Sequence, residues 1–356
     1  MMQSTSTSPQ SPATLAVLGA GTWGLTLAGV LAENGHTVRC WDRDTPLLTL
    51  LAGGARHPKL EHYAIPAGIA FEHDLLRAVE GVDAVVLVIP SQAMRPVLAQ
   101  LAAAGLHTRV PRWVIATKGI EQQTHLLMHE VLCATLGAEA GARAGVLSGP
   151  SHAEEVSRQM PTMLVATAAD AALAQSIQQY FLRPCLRVYT HDDVCGVELG
   201  GSLKNVIAIA AGISDGMGFG DNTRAALMTR GLAEIVRLGL AAGARLETFM
   251  GLTGVGDLIV TASSKHSRNH RFGELLAQGL PCADALREVG MVVEGYPTAL
   301  SALQLAATHG VELPISEAVH AICYEGLSPQ AAVHDLLTRD LKPELSALQL
   351  DPARLK

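Results

Sequence analysis

Short apolar runs bounded by turn residues alternate with stretches of helical spacing through the first half of the chain, and the alternation stops at about His191. Leu15–Leu18 is a four-residue apolar run ended by Gly19, the length of a buried strand. Trp23–Asn34 carries apolar residues at helical spacing and runs into Gly35, a residue that ends helices well. Thr37–Trp41, Ala84–Ile89 (stopped by Pro90), Trp113–Thr117, Ala144–Ser148, Met163–Thr167 and Leu186–Tyr189 read as further strands. Strands alternating with helices predict a parallel, doubly wound α/β sheet. Beyond His191, helices are predicted over Val194–Gly212, Thr223–Gly239, His270–Gly279, Thr298–His309, Ile315–Tyr324 and Pro329–Leu337. The expected organisation is a disordered tail over 1–12, a doubly wound α/β domain over 13–190 and an all-α domain over 191–345. A cleft between two such domains is the default place for a site.

Composition narrows the function classes. A chain of 356 residues suits two domains, and with 49% hydrophobic and 17% charged residues both can bury a core. The 13 aromatic residues are too few for base-stacking surfaces. A net charge of −7 argues against a nucleic-acid or membrane-surface partner, but a local cluster of cations can still receive a small anion. Six cysteines are scattered without CxxC pairs or zinc-site spacing, so they are expected to be reduced thiols of a cytoplasmic protein without a metal. The first twelve residues lack the features of a signal peptide. No uncharged run reaches the roughly 18 to 20 residues of a membrane span, so no membrane insertion is expected.

Lys204 is the first candidate for chemistry. It lies in Val197-Glu198-Leu199-Gly200-Gly201-Ser202-Leu203-Lys204-Asn205-Val206-Ile207-Ala208, a stretch that otherwise reads as buried helix. At helical spacing it shares a face with Val197, Gly200, Gly201, Ile207, Ala208 and Ala211. Loss of hydration lowers a lysine pKa and suits it to proton transfer near neutrality. Gly200 and Gly201, one turn earlier, are expected to leave space for a small molecule. The competing structural reading is a snorkelling lysine, or one paired with Glu198 or another carboxylate.

Gly19-Ala20-Gly21-Thr22-Trp23-Gly24 follows a strand and opens a helix, the context in which GxGxxG indicates a dinucleotide site. Gly19 permits the turn, Gly21 lets backbone approach a pyrophosphate, and Gly24 lets helix and strand pack closely. The helix N-terminus offers free N–H groups to the phosphates. The second strand ends in Trp41-Asp42-Arg43-Asp44. An acid there suits the ribose hydroxyl of NAD and an arginine the phosphate of NADP, so these residues leave NAD and NADP both open.

Other segments gather at strand ends and in the helical half. Thr117-Lys118-Gly119 and Ser148-Gly149-Pro150-Ser151-His152-Ala153-Glu154-Glu155 each end a strand. Gly254-Val255-Gly256-Asp257-Leu258, then Thr261, Ser267-Arg268-Asn269 and Met291-Val292-Val293-Glu294-Gly295 follow later. With GAGTWG, TKGIE, SGPSHAEEV, ELGGSLKNVIAIAAGISDGMGFGDNTRAAL, GVGDLIVTASSKHSRN, VVEGYPTA and LPISEAVHAICYEGLSP, the chain resembles the bacterial-type NAD(P)-dependent glycerol-3-phosphate dehydrogenases from about residue 14 to about 340.

That resemblance implies a Rossmann domain followed by a helical domain like the C-terminal domain of 6-phosphogluconate dehydrogenase. It implies reversible reduction of dihydroxyacetone phosphate to sn-glycerol 3-phosphate for glycerophospholipid synthesis, with NAD or NADP as cofactor. By motif, Lys204 corresponds to the proton-transferring residue. Lys118 would polarise the carbonyl and touch both cofactor and substrate, and Asp257 and Thr261 would orient the reacting groups. Arg268 and Asn269, with Ser267 beside them, would hold the phosphate, and Gly149, Ser151 and Asn205 would line the substrate side. Thr22, Trp23, Arg43, Ala153, Val292 and Glu294 would meet the cofactor together with Gly19, Gly21, Gly24, Asp42, Lys118 and Arg268. A homodimer is expected from the family and from the apolar helical domain. His152 stands where the family usually carries Phe, and Tyr296 follows VVEG where smaller or charged residues are common. Two other readings are another β-hydroxyacid or 6-phosphogluconate-type dehydrogenase and a silent dinucleotide-binding regulator. GVGDL and SRN speak against the first, and the presence of Lys204, Lys118 and Arg268 against the second.

Overall fold

The computed structural model describes residues 11–341 and 343–344. Most of the expected tail, and residue 345 at the expected end of the helical domain, lie outside the described residues. Eight strands form one sheet in the order β3-β2-β1-β4-β5-β6-β7-β8. They are β1 Thr14–Leu18, β2 Thr37–Trp41, β3 Ile69–Glu72, β4 Ala84–Leu87, β5 Trp113–Ile115, β6 Ala144–Ser148, β7 Thr162–Thr167 and β8 Leu186–His191. The chain turns outward in opposite directions from β1 and β4, which pair in parallel, so a crevice opens at their carboxyl ends.

Two apolar layers cover the sheet. Leu15, Val17, Val38, Val86 and Val114 pack with the Thr22–Glu33 helix on one face, and Leu18, Val85, Leu87, Trp113 and Ile115 pack with Met94, Leu98 and Leu132 on the other. Inner strands covered on both faces become continuous apolar runs, which is why β1 and β4 were plain in the sequence.

The expectation of a wholly parallel sheet needs correction, because β7 pairs antiparallel with β6. The connection from Ser148 to Thr162 holds only the short Ala153–Val156 helix. It cannot cross the sheet, so β7 returns from the same edge. The Ala171–Phe181 helix then provides a crossover, and β8 runs parallel to β7. The edge strand β3 went unpredicted; only four residues long and partly exposed, it lacks a continuous apolar run.

The helical half is built around Val194–Gly216, four residues longer than expected. By length and composition this helix could cross a membrane, but 83% of its most apolar window is buried inside the protein. Its closest neighbour is Arg268–Ala277, and glycines set the approach. A Cβ on Gly212 would lie 1.9 Å from the His270 carbonyl oxygen, and one on Gly273 2.1 Å from that of Ile209. Backbones therefore touch where these helices cross, and that contact fixes where Lys204 sits relative to Arg268. The helix expected over Ile315–Tyr324 is divided into Pro314–His320 and a π-helical turn, Ala321–Glu325.

Candidate active site

The glycine turn and the crevice coincide. Gly19 adopts φ +117°, and a Cβ there would meet the Val88 carbonyl oxygen at 2.5 Å. A Cβ on Gly24 would lie 1.9 Å from the Gly19 carbonyl oxygen, so that contact tolerates glycine alone. Gly21 differs: nothing lies within 4 Å of its Cβ position. It lines the cleft at the N-terminus of the Thr22–Glu33 helix, whose first turn no side chain caps. Unspent N–H groups beside open space fit a pyrophosphate. Thr22, Trp23, Asp42, Arg43, Ala153, Val292 and Glu294 line the same cleft of about 570 Å³. A larger groove of about 1400 Å³ on the helical domain contains none of the predicted site residues.

Lys204 is buried on Val194–Gly216, as its surroundings predicted. Of the carboxylates left open as its partner, the structure supplies Asp257 and not Glu198. Lys204 Nζ donates to Asp257 Oδ1 at 2.5 Å and to Thr261 Oγ1 at 2.6 Å. Asp257 and Thr261 lie one turn apart on the Asp257–Ser263 helix, which follows a π-helical turn at Leu252–Gly256. Lys118 comes from the carboxyl end of β5, and its Nζ donates to Asp257 Oδ2 at 2.6 Å and to the Gly149 carbonyl at 3.1 Å. One buried carboxylate therefore holds two ammonium groups brought from the two halves of the chain.

Burial is the largest influence on Lys204 and, with the positive charge of Lys118, brings its pKa down to about 7 against the opposing pull of Asp257. Burial works against the charge of Asp257, but Lys118 and Lys204 together outweigh it and hold the carboxyl below its ordinary range. Gly200 does not leave the space expected of it. The Thr253 carbonyl oxygen would lie 2.5 Å from its Cβ, so Gly200 admits the π-helical turn. Gly201 faces the site, with Ser148 Oγ and the Lys118 chain beside its Cβ position.

Arg268 begins the Arg268–Ala277 helix and lines the cleft with Lys204, Ser151 and Asn205. Its guanidinium has no hydrogen bond or ion pair among the described residues. Burial lowers its pKa despite Glu294 and Glu154 nearby. An unpaired guanidinium facing a cleft suits a phosphate. The neighbours of Arg268 are more committed. Ser267 caps the helix by accepting from His270 N–H at 3.2 Å. Asn269 donates to Asn205 Oδ1 at 3.0 Å and accepts from Gly295 N–H at 2.8 Å, tying three helices together. Ser151 Oγ donates to the Gly149 carbonyl at 3.0 Å.

Ser91 donates its N–H to Glu294 Oε1 at 2.9 Å and its hydroxyl to Oε2 at 2.5 Å, joining the β4 edge to the helical half. Sequence reasoning missed several lining residues: His57, Pro58, Lys59 and His266 line the cleft. No pattern marked them, because they sit in loops of ordinary polarity. His152 lies 5.9 Å from His266 ring to ring, and its Nε2 is 3.5 Å from the Val260 carbonyl. Burial, then Lys204, lowers its pKa, so it is neutral near pH 7.

Comparison with known proteins supplies the family. Two family models match: NAD-dependent glycerol-3-phosphate dehydrogenase N-terminus over residues 14–174 and its C-terminus over 193–334. A glycerol-3-phosphate dehydrogenase, NAD(P)+, from Geobacter sulfurreducens is 49% identical over 331 residues, covering 93% of this chain and 98% of the relative. One of the same name from Geobacillus kaustophilus is 47% identical, covering 94% and 97%. The crystal structure of glycerol-3-phosphate dehydrogenase from Coxiella burnetii superposes with a TM-score of 0.86 at 36% identity, covering 92% of this chain and 99% of that one. With a Rossmann-type cleft closed by a lysine–aspartate–lysine cluster and both halves matched, the chain belongs to the NAD-dependent glycerol-3-phosphate dehydrogenase family.

Proposed function

We propose that this chain catalyses reversible hydride transfer between NAD(P)H and dihydroxyacetone phosphate, forming sn-glycerol 3-phosphate for glycerophospholipid synthesis. The observation that carries the reading is Lys204, buried and near-neutral in pKa, held with Lys118 on the single carboxylate of Asp257 beside the unpaired Arg268.

When bound, the nicotinamide supplies or receives the hydride at the substrate's C2. Negative charge then builds on the C2 oxygen, and a positioned acid is needed there. Lys204, protonated, donates its Nζ proton to that oxygen; in the oxidative direction the neutral amine takes the proton from the hydroxyl. Lys118 places a second positive charge at the same oxygen. Asp257 holds both ammonium groups in place, and Thr261 fixes the direction of the Lys204 Nζ. Arg268 receives the phosphate, helped by Ser267 and Asn269, and Gly149, Ser151 and Asn205 line the remaining wall. Glycines 19, 21 and 24, with Thr22, Trp23, Asp42, Arg43, Ala153, Val292 and Glu294, hold the dinucleotide. His152 packs against the substrate wall as a neutral hydrogen-bonding residue.

A homodimer and a cytoplasmic location belong to the same proposal. An apolar groove on the helical domain, with Leu227, Ile322 and Leu336 in its wall, supports the first, and six free cysteines support the second. Sedimentation at a mass of one chain would remove the dimer. The reaction itself is tested by following absorbance of NADPH and NADH with dihydroxyacetone phosphate. Folded protein that oxidises neither would sink the assignment.

A further inference from the structure

Arg268 and Asn269 open the Arg268–Ala277 helix, and the next residue, His270, turns its side chain the other way. Arg268 and His270 are two positions apart, about 200° around a helix, so one faces the cleft while the other faces the Val194–Gly216 helix. The His270 ring is buried there. Its Nε2 lies 2.8 Å from Asp215 Oδ2, and because a carboxylate only accepts, Nε2 is the donor. Asp215 Oδ1 in turn accepts from Arg224 Nε at 3.1 Å and from its Nη2 at 2.9 Å. Arg224 lies in the first turn of the Asp221–Ala241 helix, so three helices meet on one carboxylate. On its other side the ring has Glu274, one turn later on its own helix, with Nδ1 and Oε1 4.0 Å apart.

This contact complements the backbone crossing beside it. The His270 carbonyl oxygen lies against Gly212, so close that no Cβ fits between them, and this fixes how near the two helices come. Steric contact has no direction, so it leaves a helix free to roll about its own axis. A hydrogen bond is directional, and the one from His270 to Asp215, three residues beyond Gly212, fixes the roll. In the same turn the Ser267 hydroxyl accepts from His270 N–H. Backbone and ring of one residue therefore set both the start of the helix and its rotation.

We propose that His270 is a positioning residue for phosphate recognition, its ring clamped by Asp215 so that the first turn of its helix presents Arg268 to the substrate phosphate. This rests on the reading of Arg268 as the phosphate-binding residue. Among the described residues the Arg268 guanidinium has no hydrogen bond or ion pair to orient it, so its direction is inherited from the helix that carries it. Two parallel hydrogen bonds to a phosphate tolerate little misalignment, and a guanidinium that must be reordered on binding gives up affinity. His270 is not part of the cleft wall and acts only through its helix. If the bond served packing alone, its loss would disturb Lys204 as well, because Lys204 rides on the partner helix.

Steady-state kinetics of His270→Leu and His270→Gln in the full chain separate the two roles. Leucine fills the site without a donor, whereas the glutamine amide donates from nearly the reach of the imidazole Nε2. The proposal requires His270→Leu to raise KM for dihydroxyacetone phosphate about tenfold while kcat stays within about threefold. It requires kcat/KM for unphosphorylated dihydroxyacetone, and the Kd of NADH and NADPH, to stay within about twofold. His270→Gln should bring KM back to within about twofold of the parent value. An unchanged KM in folded His270→Leu overturns the inference. So does a loss shared equally by both substrates, the mark of a packing role. Should His270→Leu not fold, Asp215→Ala, at the partly exposed end of the pair, is judged by the same criteria. Failure of the underlying reading looks different: Arg268→Ala would leave KM for dihydroxyacetone phosphate unchanged whatever the His270 variants do, and would take this inference with it.

Discussion

Lys204 and Asp257 meet at 2.5 Å in the interior, although 53 residues separate them in sequence. The lysine is there at a cost. Burial drives it toward the neutral form, Lys118 adds to that, and Asp257 alone pulls the other way, leaving a pKa of about 7.

The pH dependence of turnover follows from that balance. Reduction needs the protonated amine, so its kcat/KM should fall as pH rises through about 7. Oxidation needs the neutral amine and should rise over the same interval. Asp257→Asn removes the one influence that raises the Lys204 pKa and leaves the two that lower it. The reductive limb should therefore move to lower pH. A midpoint that stays where the parent's lies would show that another group controls the profile.

Arg268 should govern the phosphate. Its guanidinium is unpaired and faces the cleft, so Arg268→Ala removes a charge-assisted contact without stranding an internal partner. KM for dihydroxyacetone phosphate should rise on the order of a hundredfold, with a smaller change in kcat. Unphosphorylated dihydroxyacetone is the control, because parent and variant should handle it alike. A variant impaired equally on both substrates would place Arg268 in the architecture of the site instead.

The helix crossing beneath the site is a packing prediction. An alanine at Gly273 would place Cβ 2.1 Å from the Ile209 carbonyl oxygen and 3.0 Å from the Gly212 Cα, both backbone atoms that cannot step aside. Overpacking of this kind costs about 1–3 kcal/mol or more. Thermal melting of Gly273→Ala should therefore begin well below that of the parent. Because the same crossing sets the distance from Lys204 to Arg268, kcat/KM should also drop in the fraction that remains folded. An unaltered Tm would mean the helices can part without cost.

What the sequence made legible divides along physical lines. β1, β4 and the glycine turn were plain, because a buried strand is an unbroken apolar run and Gly24 answers a local contact between helix and strand. Lys204 was conspicuous as a charge on an apolar face. Its partner was not, since the Lys204–Asp257 contact is made by tertiary packing and leaves no spacing signal; a local reading offered Glu198, six residues away, and otherwise only an unnamed carboxylate. Asp257 and Arg268 emerged through motif resemblance. The antiparallel turn of β7 was hidden because strand direction depends on whether a connection can cross the sheet, and no periodicity reports that. Gly200 was misassigned for a similar reason: a glycine facing a ligand and one facing a neighbouring backbone look the same until the neighbour is placed. Lys59 gave no sign, being a single polar residue in a loop that only the fold brings to the cleft.

Glu198, passed over as a partner, carries a prediction of its own. Its Oε1 accepts from His129 N–H at 3.0 Å, and its Oε2 is buried without a partner among the described residues. Burial raises its pKa to about 8, so the folded chain holds a proton there that the unfolded chain releases near its ordinary value of about 4.5. The sign is set by that difference. Below about pH 4.5 both states are protonated and the group contributes no pH dependence. As pH rises toward 8 the unfolded state gains by ionising, so stability falls across the interval and levels off above it. Glu198→Gln has no proton to lose. Its Tm should approach or pass that of the parent with rising pH, the gap moving in the variant's favour from pH 5 to pH 8 and then holding steady. The full effect is on the order of a few kcal/mol. Melting curves of both proteins at half-unit steps of pH decide the matter. A gap that is constant with pH would mean Glu198 is ionised in the fold, with a partner for its second oxygen supplied by water.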